Sequence, residues 1–384
     1  MKIAFLTPEY PHPKTSHSAG IGSSIKNLAV ELLQNNHRVT VFVYSEDSNE
    51  IFEDNGISIH KIGYKKYPML SWYLYRKQLQ NYINNIIKVN QIDLIEAPDW
   101  TGITAFIKFR CPLLIRLHGT DAYFCKLEGR KQKIKNYFFE KVALKSADYI
   151  ASVSEFTALE TKRIFNIKTA IKVIYNGINT TQFYNRQNTF YFEEELGETI
   201  LYFGSVIRKK GVLELAKIFN KVVEKRPSTQ LTLLGKDVID IFENKSTLEL
   251  FMTKLSSEAK QNVIHINHVP YEKVKEHIRK ANVIVLPSFA EAFPMTWLEA
   301  MAMRKGLVTS NIGWANELMI DGKTGFTENP VAHQLYADKI LQLLENKELN
   351  ATFGINAKER IHQFFSLEVI GAKNINYYKS ILKK

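Results

Sequence analysis

The stretch Ser288 to Ala302, SFAEAFPMTWLEAMA, carries two carboxylates, Glu291 and Glu299, eight positions apart, directly after the apolar run NVIVLPS of residues 282–288. Pro294 stands where a helix would begin, a place that suits proline because its missing N–H would be unpaired there anyway. A strand running through a short loop into a helix start offers free backbone N–H groups to a phosphate. Two carboxylates beside such an anion site would repel a bare phosphate, so hydroxyls are their natural partners. A ligand with both phosphates and many hydroxyls is a nucleotide sugar. The plainer reading of the same residues is an ordinary strand–helix unit with two surface glutamates.

Further groups recur after strand-like runs. GSVIRKKG (204–211) brackets Arg208, Lys209 and Lys210 between two glycines, and fixed cations of this kind stabilise the charge of a departing diphosphate. A solvated basic turn is the alternative. RLHGTDAYF (116–124) closes another run with His118 and Asp121, and IEAPDWTG (95–102) places Asp99 and Trp100 on the same rim. In the first loop, LTPEYPHPKTSHSAGIGSS (6–24), Gly20 and Gly22 precede a helical pattern and permit close backbone approach to a ligand. This is not a dinucleotide fingerprint: Ile25 holds the third glycine position, and no acidic residue stands clearly at the end of the second strand.

Short apolar runs alternating with helical patterns must position these groups. The first half offers 2–7, 38–44, 57–63, 93–98, 112–119, 148–154 and 171–177. The second offers 200–205, 230–236, 262–269, 282–288 and 306–311. Strands apolar on both faces and linked by helices argue for parallel sheets covered on both sides. Two doubly wound α/β domains follow, residues 1–182 and 183–365, with the boundary in the polar stretch 180–198. Sites in such sheets lie beyond the C-terminal strand ends, so a ligand is expected in a cleft between the domains.

The 384 residues suffice for two cores, and 45% apolar with 23% charged residues is a globular composition. No run approaches the roughly 18 apolar residues that span a bilayer, and the N-terminus reads as a first strand rather than a signal peptide. Cys111 and Cys125 show neither metal-ligand spacing nor a disulfide framework, which fits a cytoplasmic location. The net charge is +12, and residues 1–185 hold 24 Lys and Arg against 16 Asp and Glu. That excess favours nucleotide phosphates or an anionic lipid surface. No nucleic-acid-binding motif accompanies it.

Taken together, Glu291 and Glu299 with their PS, F-P and LEAMA surroundings resemble the E-x7-E element of retaining glycosyltransferases of the GT-B fold, family 4. The resemblance runs through nearly the whole chain and is densest over 284–326. It implies two Rossmann-like domains facing across a cleft, with the last helix, about 366–384, packing back on the first domain. It implies sugar transfer from a UDP- or GDP-sugar to a hydroxyl acceptor with retention and without a metal or other cofactor, in bacterial surface polysaccharide or lipid-linked glycan synthesis. Catalytic roles then fall to Glu291, which would hold sugar hydroxyls, Lys210 and His118. Donor contacts fall to Gly22, Ser205, Arg208, Lys210, Phe293, Pro294, Met295 and Glu299, the last on the ribose. Glu9, Tyr10, Asp99 and Asp121 lie on the acceptor side.

Two positions depart from the family pattern. Ser205 stands where the pattern has arginine, so either Arg208 reaches the phosphate instead or the leaving group has fewer charge contacts. Asn179 replaces the usual aspartate of the segment joining the domains. Rival expectations are an acceptor-independent epimerase or hydrolase of the same fold, and a non-catalytic protein that binds polyanions or membranes. The basic, aromatic stretches 63–88 and 129–141 suggest peripheral contact with the inner face of the cell membrane.

Overall fold

The computed structural model describes residues 1–16, 19–183 and 198–383. Of the expected boundary stretch 180–198, residues 184–197 therefore lie outside the described residues. The chain divides into two compact units, Met1–Ile178 with Phe365–Lys384, and Asn179–Phe364.

The first unit is built on β1 (Lys2–Thr7), β2 (Arg38–Glu46), β3 (Glu50–Asp54), β4 (Ile57–Gly63), β5 (Leu94–Pro98), β6 (Leu113–Leu117), β7 (Tyr149–Ser152) and β8 (Ile171–Val173). They form one sheet in the order β3-β4-β2-β1-β5-β6-β7-β8, in which only the β3–β4 pair is antiparallel. Alternation along β1 feeds two cores. Ala4 and Leu6 pack with the helix Ser71–Asn90 on one face, while Ile3 and Phe5 pack with the helix Gly20–Gln34 and the last helix, Leu367–Leu382, on the other. The central strands β5 and β6 are buried at every residue, as a sheet covered on both faces requires.

The last helix belongs to this unit through close contacts. A side chain at Gly371 would come within 2.2 Å of Glu31 Cγ. Further along, Asn374 Oδ1 accepts from Arg116 Nη2 at 2.6 Å and Tyr378 Oη donates to Glu96 Oε2 at 2.7 Å. Arg116 Nε donates to Glu96 Oε1 at 2.6 Å. A charge pair buried this deeply is tolerated because all four side chains satisfy one another.

The second unit holds β9 (Thr199–Phe203), β10 (Gln230–Leu234), β11 (Val263–Ile266), β12 (Val283–Leu286), β13 (Gly306–Ser310) and β14 (Phe326–Glu328), all parallel, in the order β11-β10-β9-β12-β13-β14. Strand order reverses at β9, with β10 on one side and β12 on the other. That is the switch point where ligands enter doubly wound sheets. The loops after β9 and β12 are 204–211 and 287–294, the two segments singled out for chemistry.

Two strands escape the apolar-run reading. β3 is an edge strand rich in acids, and β14 is an edge strand of three residues. Edge strands of this size need no two-sided apolar pattern.

Candidate active site

In the second unit, backbone geometry forces loops 204–211 and 287–294 together. Gly211 has φ +72°, and a Cβ there would lie 1.9 Å from the Pro287 carbonyl oxygen. Glycine thus permits the contact. The Lys209 carbonyl accepts from Phe289 N at 2.8 Å, which fixes the register of the two loops. Lys210 Nζ then stands 3.3 Å from Glu291 Oε1, with both side chains largely covered. Ser288 Oγ donates to the same carboxylate oxygen at 3.0 Å. Pro294 occupies the position just before the helix Met295–Ala302, whose N-terminus has no side-chain cap. The first-turn N–H groups of such a helix suit an anion. Phe293 and Met295 are buried and hold the turn in place. On that helix Glu299 is 4% exposed, and Tyr271 Oη donates to its Oε1 at 2.8 Å. Burial lifts the Glu299 pKa to about 7, against the pull of the Tyr271 hydroxyl and the Lys210 charge.

The arginine question of the sequence resolves differently from Lys210. Arg208 is engaged by Asp240, with Nε to Oδ2 at 2.6 Å and Nη2 to Oδ1 at 3.0 Å, and by Glu243 at 2.8 Å. A guanidinium in a bidentate pair is already neutralised, so Arg208 does not stand free to replace the missing arginine. Ser205 is exposed at the end of β9, where its carbonyl accepts from Tyr202 Oη at 2.7 Å.

In the first unit, β1, β5 and β6 deliver the sequence-predicted groups to their C-terminal ends. Glu9 Oε1 accepts from Gly22 N at 2.7 Å, so a carboxylate already sits at the N-terminus of the helix Gly20–Gln34. Gly22 is needed there, since a Cβ would come within 2.9 Å of the Glu9 carbonyl oxygen. Asp99 Oδ1 accepts from His118 N at 2.9 Å and orients the loop after β6. Burial and the Arg116 charge lower the His118 pKa to about 3, which keeps its imidazole neutral.

Two acceptor-side candidates are engaged by other side chains of the first unit. Tyr10 is fully buried in the core, its hydroxyl donating to Asp54 Oδ2 at 2.9 Å; an aromatic ring with one polar atom finds a better place inside than on a rim. The Asp121 carboxylate is taken up by Arg130 at 2.8 Å and Asn136 at 3.0 Å.

Two family profiles cover most of the chain. The one described as Glycosyltransferase Family 4 matches residues 18–182, and the one described as Glycosyl transferases group 1 matches residues 186–360. The sucrose-phosphate synthase of Thermosynechococcus elongatus superposes with a TM-score of 0.82 at 20% identity, over 100% of this chain and 99% of that one. This chain is a glycosyltransferase of the GT-B fold. An uncharacterized glycosyltransferase of Methanocaldococcus jannaschii is 26% identical over 396 residues, covering 99% of this chain and 98% of its own. The Anabaena protein HepE, solved in complex with UDP-glucose, matches with a TM-score of 0.73 at 19% identity, over 99% of this chain and 100% of that one.

The glycosyltransferase also contains site-forming contacts that the sequence alone did not single out. Glu140 is completely buried and accepts from Asp121 N at 2.7 Å and Ala122 N at 3.2 Å, capping the helix that follows His118. Tyr271 reaches Glu299 from 28 residues away. No local pattern announces either contact.

Asp99 gives the glycosyltransferase a pH-dependent stability. Burial, aided by the Glu140 charge, pushes its pKa up to about 8, against the N–H bonds from His118 and Gly119. The folded value lies above the unfolded one of about 3.9. Stabilisation from the protonated form is therefore complete below about pH 4 and is lost as pH rises towards 8. Asp99→Asn keeps an oxygen for His118 N and removes the titration. The stability difference should shift in favour of asparagine by roughly 1 kcal/mol per pH unit between about pH 5 and 8. Urea unfolding at three pH values measures it; a constant difference would contradict a protonated Asp99.

Proposed function

We propose that this enzyme moves a sugar, with retention, from a nucleotide-diphosphate sugar held by the second unit to a hydroxyl of a glycan or lipid-linked acceptor met by the first. The observation that carries the reading is the 3.3 Å pairing of Lys210 with Glu291 beside the uncapped helix N-terminus at Met295. As the bond from sugar C1 to the phosphate oxygen breaks, its electron pair goes to the leaving diphosphate. Lys210 and the helix N–H groups face that growing charge, a preorganised form of stabilisation that needs no metal ion. Glu291 faces the hydroxyls of the sugar as C1 becomes electron-poor, and Glu299 accepts from the ribose. The acceptor hydroxyl bonds to C1 from the side the diphosphate leaves, and its proton passes to the leaving phosphate oxygen. On the acceptor-side unit, the neutral imidazole of His118 is a hydrogen-bond partner for a substrate hydroxyl.

Incubation with UDP-, GDP- and ADP-sugars tests the reading. Nucleotide diphosphate should appear with one of them at a rate that rises with added acceptor. Release at an acceptor-independent rate would instead support the hydrolase or epimerase alternative. Turnover of no donor would leave a binding protein.

A contact with the cytoplasmic membrane surface is part of this proposal. Residues 55–92 contain no Asp or Glu, and neither do 129–139. Lys65, Lys66, Lys131, Lys133 and Lys135 are exposed, as are Met69, Leu70, Ile134 and Phe138 among them. Arg76 does not join this face: it is buried, donating to the Trp72 and Gly102 carbonyls. Lys77 is tied to the Phe106 carbonyl at 2.6 Å. No helix among the described residues is long and apolar enough to cross a membrane. Co-sedimentation with anionic vesicles should be clear at low salt and fade as salt rises. Replacing Lys65, Lys66, Lys131 and Lys133 by glutamine should abolish it while leaving donor binding unchanged. Absence of sedimentation at low salt would point to a soluble acceptor.

A further inference from the structure

Glu299 is nearly sealed from solvent, and among the described residues one of its carboxylate oxygens takes its hydrogen bond. Oε1 accepts from Tyr271 Oη at 2.8 Å, and among the described residues Oε2 accepts no hydrogen bond. Tyr271 is the first residue of the helix Tyr271–Lys280 and follows Pro270. Its ring lies edge-on to Phe183, with centroids 5.7 Å apart, so packing aims the hydroxyl. A short polar tether from a packed aromatic side chain is a means of orienting a carboxylate rather than of stabilising a core.

We infer that Tyr271 is a positioning residue for the donor nucleoside: it holds one oxygen of Glu299 and leaves the other to accept from the ribose hydroxyls. This rests on the reading that Glu299 holds the donor ribose. The groups that bear on Glu299 are the Tyr271 hydroxyl and the Lys210 ammonium, the latter shared with Glu291 on the neighbouring loop. Loss of the tyrosine hydroxyl leaves Lys210 alone to favour the ionised carboxylate. Tyr271→Phe should then weaken donor binding roughly tenfold near pH 7, the size expected for a hydrogen bond to a charged group. Turnover at saturating donor should stay within about twofold, because the contact is the same in ground and transition states. Donor affinity in the wild type should rise with pH through about 7, where Glu299 ionises. In the variant the same rise should occur at higher pH. A purely structural tyrosine would move neither the ratio of KM to kcat nor this midpoint.

Calorimetry with UDP and with 2′,3′-dideoxy-UDP, or the matching guanosine pair if GDP is the donor nucleotide, decides the matter. Both Tyr271→Phe and Glu299→Ala should weaken the ordinary nucleotide and leave the dideoxy analogue as in the wild type. If Glu299→Ala binds both nucleotides like the wild type, the ribose reading of Glu299 itself falls. If Glu299→Ala weakens UDP but not the dideoxy analogue while Tyr271→Phe binds UDP like the wild type from pH 6 to 8, the ribose reading stands and the role of Tyr271 is overturned.

Discussion

Lys210→Ala should lower turnover by roughly 100-fold or more while the protein folds normally. The structure places this ammonium 3.3 Å from Glu291, and its side chain is only 20% exposed. A charge in a largely desolvated position acts on the developing diphosphate with little screening and without reorganisation at the moment of reaction, and removal of comparable groups costs 10²–10³ in rate. Arg208→Ala is the informative contrast. Because Asp240 and Glu243 already engage the guanidinium, its loss should loosen loop 236–246 and reduce turnover far less than loss of Lys210. Steady-state kinetics of the two variants at saturating donor measure this directly. Equal, severe losses would mean that Arg208 leaves Asp240 and turns to the phosphate during turnover.

Glu291→Ala is the second large effect expected. Its carboxylate pairs with Lys210 and Ser288, and sugar hydroxyls are the partners it would gain with a donor bound. An interaction that strengthens as positive character grows at C1 lowers the barrier rather than the ground state. Loss of a hydrogen bond to a charged group is worth about 2 kcal/mol, or on the order of 30-fold in kcat. The donor dissociation constant should change by less than about threefold. A variant with intact kcat but weakened donor binding would move Glu291 from the reacting sugar to a ground-state contact.

Much of this arrangement was legible because it is local. The fully buried strands β5, β6, β12 and β13 are apolar runs that periodicity finds without help. Gly204, Lys210, Gly211 and the Glu291 to Glu299 spacing lie within two short segments whose order in a doubly wound sheet sets them at adjacent strand ends. What stayed hidden depends on partners distant in sequence. Asp240 meets Arg208 across 32 positions, and this pairing is why, in a basic cluster that reads as three equivalent cations, Arg208 is engaged elsewhere while Lys210 stands against the Glu291 carboxylate. Tyr10, next to Glu9 and of a residue type common in binding sites, is drawn inwards by Asp54, 44 positions on. Glu140 and Tyr271 sit on helices whose sequence gives no hint of the backbone amides or carboxylate they serve. β3 was missed for a related reason: its acids are tolerated at a sheet edge, where one face remains wet.

Donor binding by the second unit underlies every role assigned above, and thermal unfolding with a panel of UDP-, GDP- and ADP-sugars tests it most directly. A donor present at about 100 times its dissociation constant stabilises the folded state by roughly 2.7 kcal/mol, which raises the Tm of a unit this size by several degrees. One nucleotide class should produce that rise in the wild type, and Glu299→Ala should remove most of it. A panel in which no nucleotide sugar or nucleotide diphosphate moves the wild-type Tm, or in which Glu299→Ala responds like the wild type, would contradict it.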